Sequence, residues 1–267
     1  MNRGGAAAEQ NLRVSVATLN RVVFLHPENE SLMLALERKA KVSHDGSVRV
    51  RAQPYGGAVR ILDPAPLQSI IGQIQFDRER SEREADFRIL ISPSKWELVK
   101  QYSLRHLADK DDMKLESLPH RELVEEFAET LNVRLLPDQY TFRPTGFVIK
   151  NQPVPTGDAN VQRRPTVRLY RTFEVEIVDI SLCQTMLSTS QLYSDEELGR
   201  AALADSRNGG RGRANSILIL PMRSVLESYL ALPLDVRHQK IMVENHRIDE
   251  SVLAVLGDVD VPEYERA

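Results

Sequence analysis

Residues 119–133 of the chain read PHRELVEEFAETLNV. On a helix, Glu122, Glu125, Glu126 and Glu129 fall within one arc of about 100°, and Leu123, Val124, Phe127, Ala128 and Leu131 lie opposite. The stretch therefore predicts a strongly amphipathic helix. Ser117 suits the N-cap, Pro119 is tolerated in the first turn, and Arg121 is spaced to pair with Glu125 along the helix. Two readings of the acids stand side by side. A solvated face accounts for the amphipathicity. It accounts less well for the bunching, because Glu122–Glu126 and Glu125–Glu129 are like charges at the spacing where they repel. A hard divalent cation would turn that repulsion into binding.

The rest of the chain sets the helix in an α/β context. VATLNRVVFLH reads as a strand that LMLALER continues, and GSVRVRAQ alternates with the period of a strand before the Tyr55-Gly56-Gly57 bend. LQSIIGQIQF is a strand or short helix, and RERSEREAD is a solvated charge run. ILISPSKWELVKQYSLRHLA is a strand and then a helix, capped at Ser92 with Pro93 behind it or at Ser94 with Glu97 completing a capping box. YTFRPTGFVI is a strand, NQPVPTGDANVQRRP a loop, and TVRLYRTFEVEIVDI the clearest strand. A helix opens at Ser194 or Asp195, RNGGRGRAN is a basic loop, and NSILILP is a strand leading into the helix MRSVLESYLALP. One more helix is expected around HRIDESVLAVLG.

The 267 residues are 42% hydrophobic and 27% charged, with a formal net charge of −3. This is the balance of a soluble globular chain, without the basic excess of a dedicated nucleic-acid binder. No apolar run approaches the roughly 20 residues that span a bilayer. MNRGGAAAEQ lacks the apolar core of a secretory signal, and residues 1–11 read as a disordered lead-in. The single cysteine, Cys183, cannot form an intrachain disulfide, which points to a reducing, cytoplasmic location; it reads as a buried structural thiol.

Arg121-Glu122-Leu123-Val124-Glu125-Glu126 resembles the R-E-U-x-E-E core of the Nudix box, G-x5-E-x7-R-E-U-x-E-E-x-G-U, where U is a bulky aliphatic residue. The order of elements over roughly residues 12–232 is also similar to that superfamily, with a glycine pair ahead of the box and the closing strand and helix after it. The box is interrupted. Gly57 and Asp63 fit its glycine and first acid, with aspartate for glutamate, but a long segment separates them from Arg121. Glu116 is a nearer substitute for that acid, and Ala128 and Glu129 stand where the family has its glycine and aliphatic residue.

The resemblance implies a Nudix-like α/β/α sandwich with a mixed central sheet, a single domain over residues 12–267, an insertion over about 64–116 and a C-terminal helical tail over about 235–267. It implies metal ligation of Mg2+ or Mn2+ by Glu125 and Glu126, with Glu122 as a further ligand or the holder of the attacking water. Arg121 would be structural, and the Gly56–Gly57 backbone would lie close to metal or phosphate. The implied activity is hydrolysis of a nucleoside diphosphate linked to another moiety. The alternative is a Nudix-like module that binds a nucleotide-type small molecule as sensor, regulator or complex subunit without turnover. Dimers are common in the family, so a homodimer is an expected assembly.

Other residues carry weaker signals. Arg168, together with Arg171 and the Arg163–Arg164 pair, could meet substrate phosphates. Glu174 and Glu176 share one side of a strand and could add a base or ligand; Asp195, Glu196 and Glu197 could do so from a loop or simply favour a helix N-terminus. His26, His106 and His120 read as packed or isolated histidines. Arg207, Arg211 and Arg213 lie in a basic loop, and Trp96 and Tyr102 pack in the insertion or stack on a base.

Overall fold

LRVSVATLNRVVFL, rich in β-branched residues, forms strand β1 (Leu12–Leu25), buried on both faces along almost its whole length. It is the spine of the structure, a computed structural model that describes residues 11–43, 45–116, 118–155, 164–239 and 242–267. One edge of β1 runs parallel to β7 (Pro165–Ile177), from Arg13 opposite Thr166 to Val23 opposite Glu176. Its other edge is shared by three segments. β5 (Arg88–Ile91) pairs with Leu12–Ser15, the chain at Tyr55 and Ala58 bridges the middle, and β2 (Leu32–Val42) pairs with Val22–Leu25. β2 also carries β3 (Val48–Gln53) and β8 (Arg213–Pro221). β6 (Tyr140–Pro155) lies beside β7, β11 (Glu265–Arg266) beside β6, and β4 (Gln75–Phe76) beside β5. The result is a nine-stranded mixed sheet.

Side-chain alternation along β1 gives each face its own cover. Val14 and Val16 point toward α1 (Ala65–Ile71) and α3 (Trp96–Ala108). Val22 and Phe24 point the same way, into α4 (His120–Leu131) and α5 (Ile180–Ser190). Ala17, Leu19 and Val23 point oppositely, into α7 (Met222–Leu230) and α8 (Val252–Val255). Helix α6 (Asp195–Arg207) packs on Ala40 on that second face. The acidic helix α4 is held by Leu123 and Phe127, both fully buried; each such side chain contributes about 1.5–3 kcal/mol.

The structure redraws several expected elements. LMLALER does not continue β1 but returns antiparallel to it. The turn between them has no glycine; Asn29 Oδ1 accepts from Ser31 N at 3.0 Å and Glu30 takes a positive φ of 57°. The segment 64–116 is not an appendage, because its β5 completes the edge of β1. LQSIIGQIQF divides into α1 and β4. α3 starts behind a 3-10 turn (Pro93–Lys95) with Lys95 at its N-cap, so the Ser94–Glu97 capping box does not form. β6 extends through Pro155, into what reads as a loop. Helix α5 was not expected; Asp179 caps it by accepting from Leu182 N at 2.6 Å.

The expected helical tail contains a 3-10 helix (Leu234–Gln239) and one α-helical turn, α8; the rest packs Val243, Ile248, Val259 and Tyr264 on the sheet. Ser117, the expected cap of α4, lies outside the described residues, as do residues 1–10 and 156–163. Among the described residues no helix is long and apolar enough to cross a membrane.

Candidate functional site

The Gly56–Gly57 bend and α4 meet in the middle of the sheet. After β3 the chain runs along the bare centre of β1, with Asn20 N donating to Tyr55 O at 2.8 Å and Thr18 N to Gly57 O at 2.9 Å. Gly56 requires glycine, whereas a side chain at Gly57 would have to displace the end of the Glu122 side chain. Gly56 has a φ of +146°, and a Cβ there would come 2.1 Å from Thr18 O. A Cβ on Gly57 would come 2.0 Å from Glu122 Oε2. Helix α4 docks on this bend. Glu126 Oε2 accepts the Gly56 N–H at 2.6 Å, and the buried Tyr55 ring lies 5.0 Å from that of Phe127.

The four glutamates therefore separate into two pairs. Glu126 is buried and Glu122 half-buried, both turned to the bend; Glu125 and Glu129 are exposed. The solvated-face reading holds for the second pair only. Arg121 gathers the acids at the helix start. Its guanidinium makes hydrogen bonds with Glu116 at 2.7 Å and 2.9 Å, and contacts Glu122 at 2.6 Å, Glu125 at 3.4 Å and Ala58 O at 3.2 Å. Burial would lower the Arg121 pKa, but Glu116, Glu122 and Glu125 together raise it. Arg121 is thus held among the acids at the start of α4, with Glu116 as its main partner.

A second cation lies at Glu126. Glu37 and Lys39 alternate along β2 and so share the face toward α4. Lys39 Nζ stands 2.6 Å from Glu37 Oε2 and 3.6 Å from Glu126 Oε1, and Gln53 Nε2 donates to Glu37 Oε2 at 3.1 Å. Glu37 is fully buried, and its Oε1 has no hydrogen-bond partner. Burial, and then the Glu37 charge, push Glu126 well above the usual carboxylate range, against the pull of Lys39 and the Gly56 N–H. Burial likewise raises Glu122, with Arg121 opposing it. Sequence reasoning missed Glu37 and Lys39; their spacing in LERKAKV was the available signal.

Carboxylates are the donors that a hard dication would take. Glu122, Glu125 and Glu126 offer carboxylate oxygens, Glu37 adds an unpartnered one, and two raised pKa values mark charge that a cation would relieve. Among the described residues, however, no three His, Cys, Asp or Glu side chains are gathered as a ready metal cage. Arg121 and Lys39 supply the positive charge instead. The Gly57 carbonyl is committed to Thr18 N, so Gly57 contributes space rather than a ligand oxygen.

The structure does not bring Arg168 to this site. On β7, Val167 and Leu169 face α1 and α3 while Tyr170 faces α8; Arg168 shares the side of Tyr170, opposite the acidic helix. Arg171 is on the α4 side. Its guanidinium lies over Phe147 and Phe173, 4.4 Å and 5.4 Å from the ring centres. Glu174 faces away, paired with Arg21 and Arg143, and Glu176 is exposed. Asp195 pairs with Arg38, and Glu197 forms the capping box of α6 with Ser194.

The remaining candidates are structural. His26 accepts from Glu28 N, His106 pairs with Asp112 at 2.6 Å, and His120 bonds Tyr140. The Arg207–Arg213 loop folds on Asp205, which accepts from Arg213 N at 3.2 Å. Trp96 donates to Asn151, Tyr102 packs on Phe87, and burial pushes the Cys183 thiol up to about 11. Arg163 lies outside the described residues. A cavity of about 330 Å3 opens on the α8 side, lined by Arg21, Thr172, Val255 and Arg266 among others; no residue of the acidic helix lines it.

Compared with family models, curated proteins and solved structures, the chain matches none.

Proposed function

We propose that this chain is a Nudix-type hydrolase that cleaves the diphosphate of a nucleoside diphosphate linked to another moiety, using Mg2+ or Mn2+ at the acidic helix. The observation that carries this reading is the contact between the two halves of the interrupted box. Glu126 accepts from Gly56 N–H and Glu122 rests on Gly57, although a long segment separates bend and helix in sequence. In this reading Glu122, Glu125 and Glu126 hold the metal. Bound there, the metal neutralises diphosphate oxygens and lowers the pKa of water. Arg121 positions Glu122 and Glu125 from one side, and the missing Cβ of Gly57 keeps room for the Glu122 carboxylate.

One observation favours a second reading. Lys39 already places a positive charge 3.6 Å from Glu126. A domain with that internal cation would recognise a nucleotide diphosphate as sensor, regulator or subunit and leave it intact. The deciding experiment is turnover of a panel of nucleoside diphosphate derivatives with Mg2+ or Mn2+, for the wild type and for Glu125→Gln and Glu126→Gln. Turnover lost in both variants supports the hydrolase. Thermal stabilisation by a panel member without turnover supports the binding domain. Neither response rejects both.

A further inference from the structure

Three polar side chains interrupt the apolar cover of the sheet on the α4 side. On β7, Val167 and Leu169 belong to the cluster under α3, and Phe173 and Val175 to the one under α4 and α5; Arg171 lies between. On β1, Val14 and Val16 on one side and Val22 and Phe24 on the other bracket Thr18 and Asn20. The parallel ladder sets Thr18 beside Arg171 and Asn20 beside Phe173, on strands about 4.8 Å apart. The strip adjoins the glycine bend, since Thr18 N donates to Gly57 O and Asn20 N to Tyr55 O.

The strip is buried yet incomplete. Thr18, Asn20 and Arg171 are 2%, 1% and 9% exposed. Neither atom of the Asn20 amide has a hydrogen-bond partner, nor has Arg171 Nε. A buried cation is costly unless an opposite charge compensates it. Arg13 and Arg38, the other buried arginines among the described residues, each face an aspartate, Asp77 at 2.8 Å and Asp195 at 3.3 Å. Arg171 has no such partner. It donates to Gly146 O at 3.3 Å and otherwise lies on two aromatic rings, and burial alone accounts for its lowered pKa. A missing negative charge and a missing acceptor thus coincide beside the acidic site.

We propose that Arg171 and Asn20 form an anion subsite that takes a phosphate group, with the guanidinium supplying charge and the Asn20 amide supplying N–H donation. A phosphate matches both deficits, since it carries the counter-charge and several acceptor oxygens. Only the choice of diphosphate as probe rests on the hydrolase reading; the unpaired donors do not depend on it. In that reading, metal at the acids and Arg171 one strand beyond the bend hold opposite ends of one diphosphate group.

The test uses inorganic diphosphate in excess chelator, followed by thermal melting and calorimetric titration of the full chain, with sodium chloride at matched ionic strength as control. The wild type is expected to gain Tm with diphosphate concentration. Arg171→Met and Asn20→Asp are expected to bind about tenfold more weakly or worse. Asn20→Asp removes the amide N–H and sets a negative charge where the phosphate would bind, so it loses the diphosphate response whatever happens to the ligand-free Tm. That variant decides the matter even where Arg171→Met does not fold. A wild type that responds to diphosphate in chelator but turns over no panel member with metal rejects the hydrolase and leaves the subsite standing. A wild type indifferent to diphosphate, or a response unchanged in Asn20→Asp, overturns the subsite.

Discussion

Glu122 Oε2 occupies the space a side chain on Gly57 would need, 2.0 Å from where that Cβ would stand. The constraint on this glycine thus comes from a carboxylate distant in sequence, the end of a flexible side chain, and not from its own backbone angles. Gly57→Ala should destabilise the fold by about 1 kcal/mol in urea unfolding, because the Glu122 carboxylate must turn aside from Arg121. In a Glu122→Ala background the obstacle is gone, so the same change should cost clearly less. Equal costs in the two backgrounds would contradict the contact.

Glu126 should make the metal-free protein less stable as the solution becomes more basic. Its folded pKa is raised from the usual 4.5, chiefly by burial and then by Glu37. Between the unfolded and folded values the native state keeps a proton that the unfolded chain has released, so stability falls with rising pH across that window. The penalty is complete above the folded value and absent well below 4.5. Glu126→Gln has no charge, and its amide oxygen can still accept from Gly56 N–H. In chelator it should match the wild type at the acidic end and exceed it at the basic end. Parallel stability curves for the two proteins would rule this out.

The helix stop can be tested separately. Asn132 ends α4 with φ 54° and ψ 32°, and its N–H returns to Ala128 O. The left-handed residue comes here and not at Ala128, where the Nudix pattern has glycine. Asn132→Ala should cost about 1 kcal/mol, because a Cβ without a helpful polar group disfavours that conformation, while Asn132→Gly should change stability by only a few tenths. A neutral Asn132→Ala would mean the helix does not end this way.

Strand β7 and helix α4 were legible because their apolar residues follow one period over a long run, and β1 because it is a long stretch of β-branched and apolar residues. The hairpin after β1 was not, since its turn is made by Asn29 and a left-handed Glu30 in place of glycine. α5 was hidden because VDI reads as the end of a strand, whereas Asp179 is the helix cap. The helical wheel put Glu126 with the solvated acids because nothing local buries it; the Gly56 bend does, from a remote part of the chain. Arg168 and Arg171 looked alike for the same reason. Which arginine faces the acids depends on which side of β7 is covered by α4, and that is decided by tertiary packing.

Lys39 separates the two functional readings most directly. It lies between Glu37 and Glu126, whose charges outweigh burial and raise its pKa. Lys39→Met leaves two buried carboxylates facing each other. In chelator the loss should be about 2–3 kcal/mol, below the roughly 3–5 kcal/mol of a fully buried broken pair because Lys39 is partly in water. If the acids can take a dication, Mg2+ or Mn2+ should then restore stability, and the metal-induced rise in Tm should be larger for Lys39→Met than for the wild type. The lysine would in that case be a placeholder that metal displaces on the way to turnover. A variant that is destabilised but indifferent to both metals would instead assign the cation position to Lys39 permanently and count against the hydrolase.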